Sequence, residues 1–152
     1  MFRGLTTVNL DVKGRLAVPV RFREVLTACD SRDLVLTLNP WDRSLWLYPL
    51  AEWQIIEAKL SGLSDFDKQS RRTKQMMRGY ATDLSCDGQG RILLPPELRE
   101  IAALSKQVVM LGQGNKIEIW DAVRWRAERD EWLEDVSADG NAPSSALESL
   151  AL

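Results

Sequence analysis

The chain has 152 residues and not one histidine. That absence removes Ser-His-Asp and Cys-His catalysis and every metal site built on imidazole. Cysteine is almost as scarce, and Cys29 and Cys86 form neither a Cys-x-x-Cys pair nor a set with metal-ligand spacing. Both are expected to be small buried or half-buried apolar side chains in a reducing compartment, not a disulfide. No apolar run approaches the roughly 18–20 residues a membrane span needs. The first residues also lack the apolar stretch of a signal peptide, so a soluble, cytoplasmic protein with no membrane partner is expected. A phosphate loop of the Gly-x-x-x-x-Gly-Lys-Ser/Thr kind is missing as well. Ser31, Ser85 and Cys86 have no histidine to activate them. The expectation is therefore a protein that is not an enzyme, with no catalytic residues, metal, cofactor or small-molecule substrate.

Charge of neither sign dominates, since the net value is −2, but its distribution is uneven. Residues 1–80 carry 13 basic and 9 acidic side chains, whereas residues 81–152 carry 7 and 13. Two local excesses stand out. Arg3, Lys13, Arg15, Arg21 and Arg23 face Asp11 alone among residues 1–23, and residues 68–78 hold Lys68, Arg71, Arg72, Lys74 and Arg78 with no acid. An acidic whole argues against indiscriminate coating of nucleic acid, yet leaves room for a local basic site.

The most informative feature is an internal repeat. Residues 11–24 (DVKGRLAVPVRFRE) lie over residues 87–100 (DGQGRILLPPELRE) without a gap, with six of fourteen positions identical. Leu16/Ile92, Val18/Leu94 and Phe22/Leu98 are conservative apolar exchanges in the same register. The match continues through residues 35–38 over 108–111, residues 45–48 over 117–120, and Trp53 over Trp125. The chain is a duplication.

Each copy spells the same elements. A β-prone stretch (residues 5–10 in the first copy) leads into Asp-x-x-Gly-Arg, a tight turn where Gly14 or Gly90 can take positive φ. A short strand follows, over residues 15–18 or 91–94, and ends at Pro19 or Pro95, residues suited to a helix start. Phe22, Val25 and Leu26, or Leu98, Ile101 and Ala102, then share one helix face. Two more strands come next, over residues 34–38 and 45–48 or 107–111 and 116–120, before a closing helix. Trp53, Ile56 and Leu60 share a helix face, as do Trp125, Trp132, Leu133 and Val136 approximately, and Trp46, Trp53, Trp120 and Trp125 are expected inside. A copy of this size buries its own sheet poorly, so two copies packed about a pseudo-twofold would share one core in an α+β, β-rich fold. The expected organisation is repeat 1 over 5–52, a helical connector over 53–80, repeat 2 over 81–124, and a C-terminal helix with a mobile tail over 125–152. The acids from Glu128 onward read as a solvated helix face.

The doubled Asp-x-x-Gly-Arg turn carries two readings. In one, Asp11, Gly14, Asp87 and Gly90 structure the turn, with aspartate pairing to arginine across it. In the other, the turn projects Arg15 or Arg91 toward an anion such as DNA, its planar fork suiting phosphate or guanine. The first copy has Lys13 and Arg21 where the second has Gln89 and Glu97. The first turn should therefore dominate any DNA contact, with Arg91 chiefly structural.

Taken together, Met1-Phe-Arg-Gly4, Leu10-Asp-x-Lys-Gly-Arg15, Phe22-Arg23, Asp87-Gly-x-Gly-Arg-Ile-Leu94, Gly112-Gln-Gly-Asn115 and Glu118-Ile-Trp120 resemble the MraZ family of bacterial transcriptional regulators. The resemblance implies two AbrB-like (SpoVT-AbrB) swapped-hairpin β-barrel halves in one chain, assembled into ring-shaped homo-oligomers. It implies binding to tandem short repeats in double-stranded promoter DNA ahead of the division and cell-wall gene cluster, usually as a repressor, with association to the nucleoid. The family's DNA-contacting arginine falls on Arg15, with the paired motif at Arg91. Lys13, Arg21 and Arg3 are the further DNA-binding candidates. The alternative is an oligomeric protein-interaction scaffold without direct DNA readout, its Asp–Arg turns serving assembly.

Overall fold

The computed structural model describes residues 1–29, 32–137, 143–150 and 152. Ser31 and residues 139–142 of the expected tail lie outside the described residues. The chain divides into two compact units, Met1–Ala122 and Val123–Leu152.

In the first unit, β1 (Phe2–Asn9), β2 (Arg15–Ala17), α1 (Val20–Ala28), β3 (Asp33–Leu38), β4 (Leu45–Pro49) and α2 (Leu50–Ser61) make the first copy. After α3 (Lys68–Gly79), the elements β5 (Thr82–Ser85), β6 (Arg91–Leu93), α4 (Pro96–Ile101), β7 (Gln107–Gly114) and β8 (Ile117–Asp121) repeat the series. The second unit holds most of α5 (Ala122–Ser137) and the short α6 (Ser145–Glu148). Among the described residues no helix is long and apolar enough to cross a membrane.

The protein is mixed α+β, and neither copy completes its own sheet. A six-stranded antiparallel sheet runs β1-β7-β8-β4-β3-β5, and a two-stranded ribbon joins β2 to β6. The first strand of each copy pairs inside the other: β1 runs along β7 from Phe2↔Gly114 to Asn9↔Gln107, and β5 runs along β3. Exchanging equivalent strands of the two copies turns this order into its own reverse, so the sheet has the symmetry of the duplication. Among the described residues its ends are β1 and β5, and closure into a barrel is not found.

Strand alternation divides the apolar residues between two cores. On one face, Leu45 and Leu47 join Leu36, Val108, Met110, Ile117 and Ile119. Against them pack Leu16, Val18, Ile92 and Leu94 of the ribbon segments and Phe22 and Leu98 of the helices. Phe2 and Phe22 meet edge-on with ring centroids 5.8 Å apart. On the opposite face, Val35, Trp46 and Tyr48 pack against Trp53 and Leu60 of α2 and Met77 of α3. Thr37 Oγ1 donates to the Met77 carbonyl at 2.5 Å, fastening the end of α3 to β3.

Trp46, Trp53 and Trp120 are buried as their repeat positions require, while Ile56 is only half-buried. Trp125, expected inside, is only half-buried, and Trp132, Leu133 and Val136 on the same approximate face of α5 are exposed. Of the cysteines, Cys86 packs half-buried against the core, where burial pushes its thiol pKa up. Cys29 is exposed beyond the end of α1 and not the buried side chain its scarcity suggested. Both are free thiols.

Candidate nucleic-acid interface

The two Asp-x-x-Gly-Arg turns have matching hydrogen bonds. In the first, Asp11 Oδ1 accepts from the backbone N–H groups of Lys13 at 2.9 Å and Arg15 at 2.8 Å, while Oδ2 accepts from Arg15 Nε at 2.9 Å. In the second, Asp87 Oδ1 accepts from Gln89 at 2.8 Å and Arg91 at 2.9 Å, and Oδ2 from Arg91 Nε at 3.0 Å. The backbone closes each loop as well: Gly14 N–H donates to the Asp11 carbonyl and Gly90 N–H to the Asp87 carbonyl, both at 3.0 Å. Gly14 and Gly90 sit at φ of +86° and +73°, a region where a side chain is strained. The Arg15 backbone N–H chiefly, with the guanidinium and the Lys13 N–H, holds the Asp11 carboxyl below the usual range. The Arg91 N–H chiefly does the same for Asp87. Ionised aspartate fixes each guanidinium through Nε. The outer Nη groups of Arg15 and Arg91 have no hydrogen-bond partner among the described residues.

The ribbon then brings the two turns together. In it Leu16 faces Ile92, Arg15 faces Leu93 and Ala17 faces Arg91. Leu16 and Ile92 point into the core, so by alternation Arg15 and Arg91 share the outer face. As diagonal neighbours in an antiparallel pair their backbones are roughly 7–8 Å apart. Val18 N–H donates to the Gly90 carbonyl at 2.9 Å and Leu94 N–H to the Gly14 carbonyl at 2.8 Å, so each turn is held by the other copy's strand.

Two further cations cross between the copies. Arg23 lies against Gly90 and donates through Nε to the Val18 carbonyl at 3.0 Å, and Arg99 lies against Gly14. The second turn, bare of basic neighbours in its own copy, thus borrows Arg23, which with Arg32 lines a cavity of about 280 Å³ beside Asp87 and Gly90. Lys13 and Arg99 line a different one of about 490 Å³, with residues 83–85 and 93–96. Sequence reasoning passed over Arg23 and Arg99 as candidates, although they are an identical pair in the repeat alignment.

The remaining candidates fall elsewhere. Arg21 is tied to β1 by one nitrogen: its Nη2 donates to Thr6 Oγ1 at 2.6 Å and to the Leu5 carbonyl at 3.2 Å, while the side chain stays exposed. Its guanidinium lies 5.7 Å from the Phe22 ring centroid. Arg3, exposed on β1, lines one shallow cavity with Arg21 and Gly4. The basic residues of α3 largely hold a loop. Lys74 pairs with Asp65 and donates to the Leu63 carbonyl, Arg71 donates to the Asp65 carbonyl at 2.7 Å, and Arg78 donates to Ser61 Oγ at 2.7 Å. Among the described residues no group of three or more acidic or sulfur side chains is arranged to hold a metal.

This arrangement has close relatives. The chain matches the family model of the MraZ protein, described as antitoxin-like, twice, over residues 1–76 and 77–142. It is 47% identical over 152 residues to a protein of Halorhodospira halophila and 45% to one of Shewanella baltica, each alignment covering 100% of both chains. A third relative, from Thioalkalivibrio sulfidiphilus, is 49% identical over 155 residues with the same coverage. All three are named transcriptional regulator MraZ.

Proposed function

The chain belongs to the MraZ family, and from that premise we propose that it is a transcriptional regulator that binds double-stranded promoter DNA through the outer face of its two-stranded ribbon. The observation that carries this reading is the pairing of the half-buried Arg15 and Arg91 on the outer face of the ribbon, each with Nε committed to aspartate and its outer nitrogens without a partner among the described residues. Lys13 flanks the first turn, and Arg23 and Arg99 stand beneath the second and first turns. A guanidinium fork so held can accept a phosphate or the O6/N7 edge of guanine, and a bidentate base contact is worth about 1–3 kcal/mol against the wrong base. Arg3 and Arg21 lie farther along β1 as auxiliary phosphate contacts, Arg21 with one Nη tied to β1.

The finer organisation follows the same reading. Each copy is a SpoVT-AbrB swapped-hairpin half, with repeat 1 over 5–52, a connector over 53–80, repeat 2 over 81–124 and a tail beyond 125. Strand exchange between the copies supports it. The chain assembles into a ring, recognises tandem short repeats ahead of the division and cell-wall genes, usually as a repressor, and resides in the cytoplasm on the nucleoid. A ring suits a chain of net charge −2, because one ribbon neutralises few phosphates. Successive subunits on successive repeats make later contacts intramolecular, and avidity adds a factor of about 10²–10⁴.

The test is a salt titration of binding to tandem-repeat DNA from the region upstream of the chain's own gene, with oligomer mass measured in parallel. About two phosphates per subunit and three engaged subunits give a log–log slope near −5. Arg15→Ala should abolish repeat-dependent binding at unchanged oligomer mass. Arg91→Ala should weaken it less, because Gln89 replaces lysine beside the second turn. Intact binding in Arg15→Ala, or a ring that falls apart first, overturns the reading and favours the assembly scaffold.

A further inference from the structure

Between the β3–β4 loop and α3 the first unit carries a groove of about 480 Å³, lined by Trp41, Lys68, Arg72, Thr73 and Met76 among others. Trp41 is 72% exposed, yet its ring meets Trp46 edge-on with centroids 5.5 Å apart, so a large apolar surface is held in place facing solvent. Lys68 and Arg72, one turn apart on α3, are exposed, and their side chains form no hydrogen bond or ion pair among the described residues. The other three cations of α3 are engaged. The carboxylate in the lining, Asp67, is taken up in capping α3 through the Ser70 N–H and hydroxyl. Asp42, beside Trp41, is followed directly by Arg43. The groove is therefore apolar with a cationic wall. On α5 the opposite combination is found. Trp132 and Val136, one turn apart, are 64% and 54% exposed, and Leu133 beside them is 50% exposed. Glu128 and Glu131, both exposed, run along one edge of that stripe at helical spacing. Residues 128–135 hold Glu128, Asp130, Glu131, Glu134 and Asp135 against Arg129 alone, and Arg129 is paired with Asp130 at 2.9 Å.

We propose that the groove of one subunit receives α5 of a second copy of the chain, with Trp132 and Val136 set against Trp41 and Met76, and Glu128 and Glu131 against Lys68 and Arg72. An amphipathic helix laid in an apolar groove is a recurring mode of recognition, with anchors one turn apart and charges at the rim setting register and partner. Nucleic acid in the groove would answer its two cations but leave the apolar stripe of α5 uncovered. Pairing α5 with itself through the stripe would bring acids against acids, because the stripe and the acids occupy the same half of the helix. Groove and helix are different surfaces, so the contact is head-to-tail, and such contacts close into a ring when the rotation permits. One helix in one groove is a small interface, so a single contact is weak, and closure makes the last one intramolecular. The inference rests on the ring reading and names the surfaces that build it; neither surface includes a residue of the ribbon.

Two variants of the full chain separate the surfaces: a groove variant, Lys68→Glu with Arg72→Glu, and a helix variant, Trp132→Ser with Val136→Ser. All four side chains are exposed, so circular dichroism and the thermal midpoint should stay near wild type. Sedimentation at about 10 μM should give an oligomer for the wild type and a monomer for each variant. Mixed at about 100 μM, the two variants should form a one-to-one heterodimer and nothing larger, because each supplies the surface the other lacks. Adding Glu128→Lys and Glu131→Lys to the groove variant in the same chain should restore the wild-type oligomer, since the charges are then exchanged and not lost. Oligomers of wild-type size from both variants, or a mixture that stays monomeric beside an oligomeric wild type, overturn the contact and leave the ring reading standing. A wild type that is itself monomeric overturns both.

Discussion

Asp11 and Asp87 each satisfy two backbone N–H groups and one guanidinium, which makes them the points where protonation reaches the turns. Their folded pKa values are depressed, so their contribution to stability is present above the ordinary carboxylate range and is lost as pH falls through the depressed folded values. Urea midpoints followed from neutral to acid pH should therefore fall in the wild type. They should fall less in an Asp11→Asn, Asp87→Asn double variant, which starts lower and meets the wild type in acid. A parallel acid slope in both proteins would remove the turns from this role. Gly14 offers a second residue-scale test. At φ +86° a Cβ is strained and would press on the Arg99 guanidinium at 2.7 Å. Gly14→Ala is expected to cost about 1–2 kcal/mol. Gly88→Ala, with open space around it, should stay within about 0.5 kcal/mol of wild type. Equal effects in urea denaturation would refute the conformational argument.

Among the elements, α3 carries the densest basic cluster, and three of its five cations are engaged within the chain. A run of five basic residues invites a nucleic-acid role, yet Arg71, Lys74 and Arg78 close the loop at residues 62–67 and tie α3 to α2. Asp67 caps the helix by accepting from the Ser70 N–H at 3.0 Å. Arg78→Ala is thus expected to lower the thermal midpoint by a few degrees, in line with the roughly 0–1 kcal/mol of exposed ion pairs. It should leave the salt slope of DNA binding unchanged; a slope that falls by about one would return α3 to the DNA face. The ribbon shows the opposite case. Strands of three residues read weakly on their own, but Leu16 and Ile92 anchor them in the core and aim Arg15 and Arg91 outward.

At the scale of the molecule, each copy depends on the other. Within residues 1–80, β1 lacks β7 and β2 lacks β6, so a single copy leaves two strands unpaired and half of a shared core open. A fragment of residues 1–80 is expected to be unfolded as a monomer and to gain structure only as a dimer in which two first copies exchange their leading strands. Circular dichroism against concentration, with sedimentation, checks this. A folded monomeric fragment would show that the exchange is dispensable.

By itself the sequence determined the duplication, the order of elements and the identity of both turns, because these rest on local signals: aspartate and glycine spacing, proline at helix starts and apolar periodicity. It also pointed to Arg15. What only the tertiary structure decided is which residues of the two copies meet. Strand exchange is a pairing over long separations, and no local pattern records that Arg91 lies beside Arg15, that Arg23 and Arg99 serve the opposite turns, or that Arg21 reaches back to β1. Gln89 and Glu97, standing where the first copy has Lys13 and Arg21, suggested a second turn that is chiefly structural. Packing supplies the missing charge from the first copy, since a side chain's neighbours are set by the fold and not by its position along the chain.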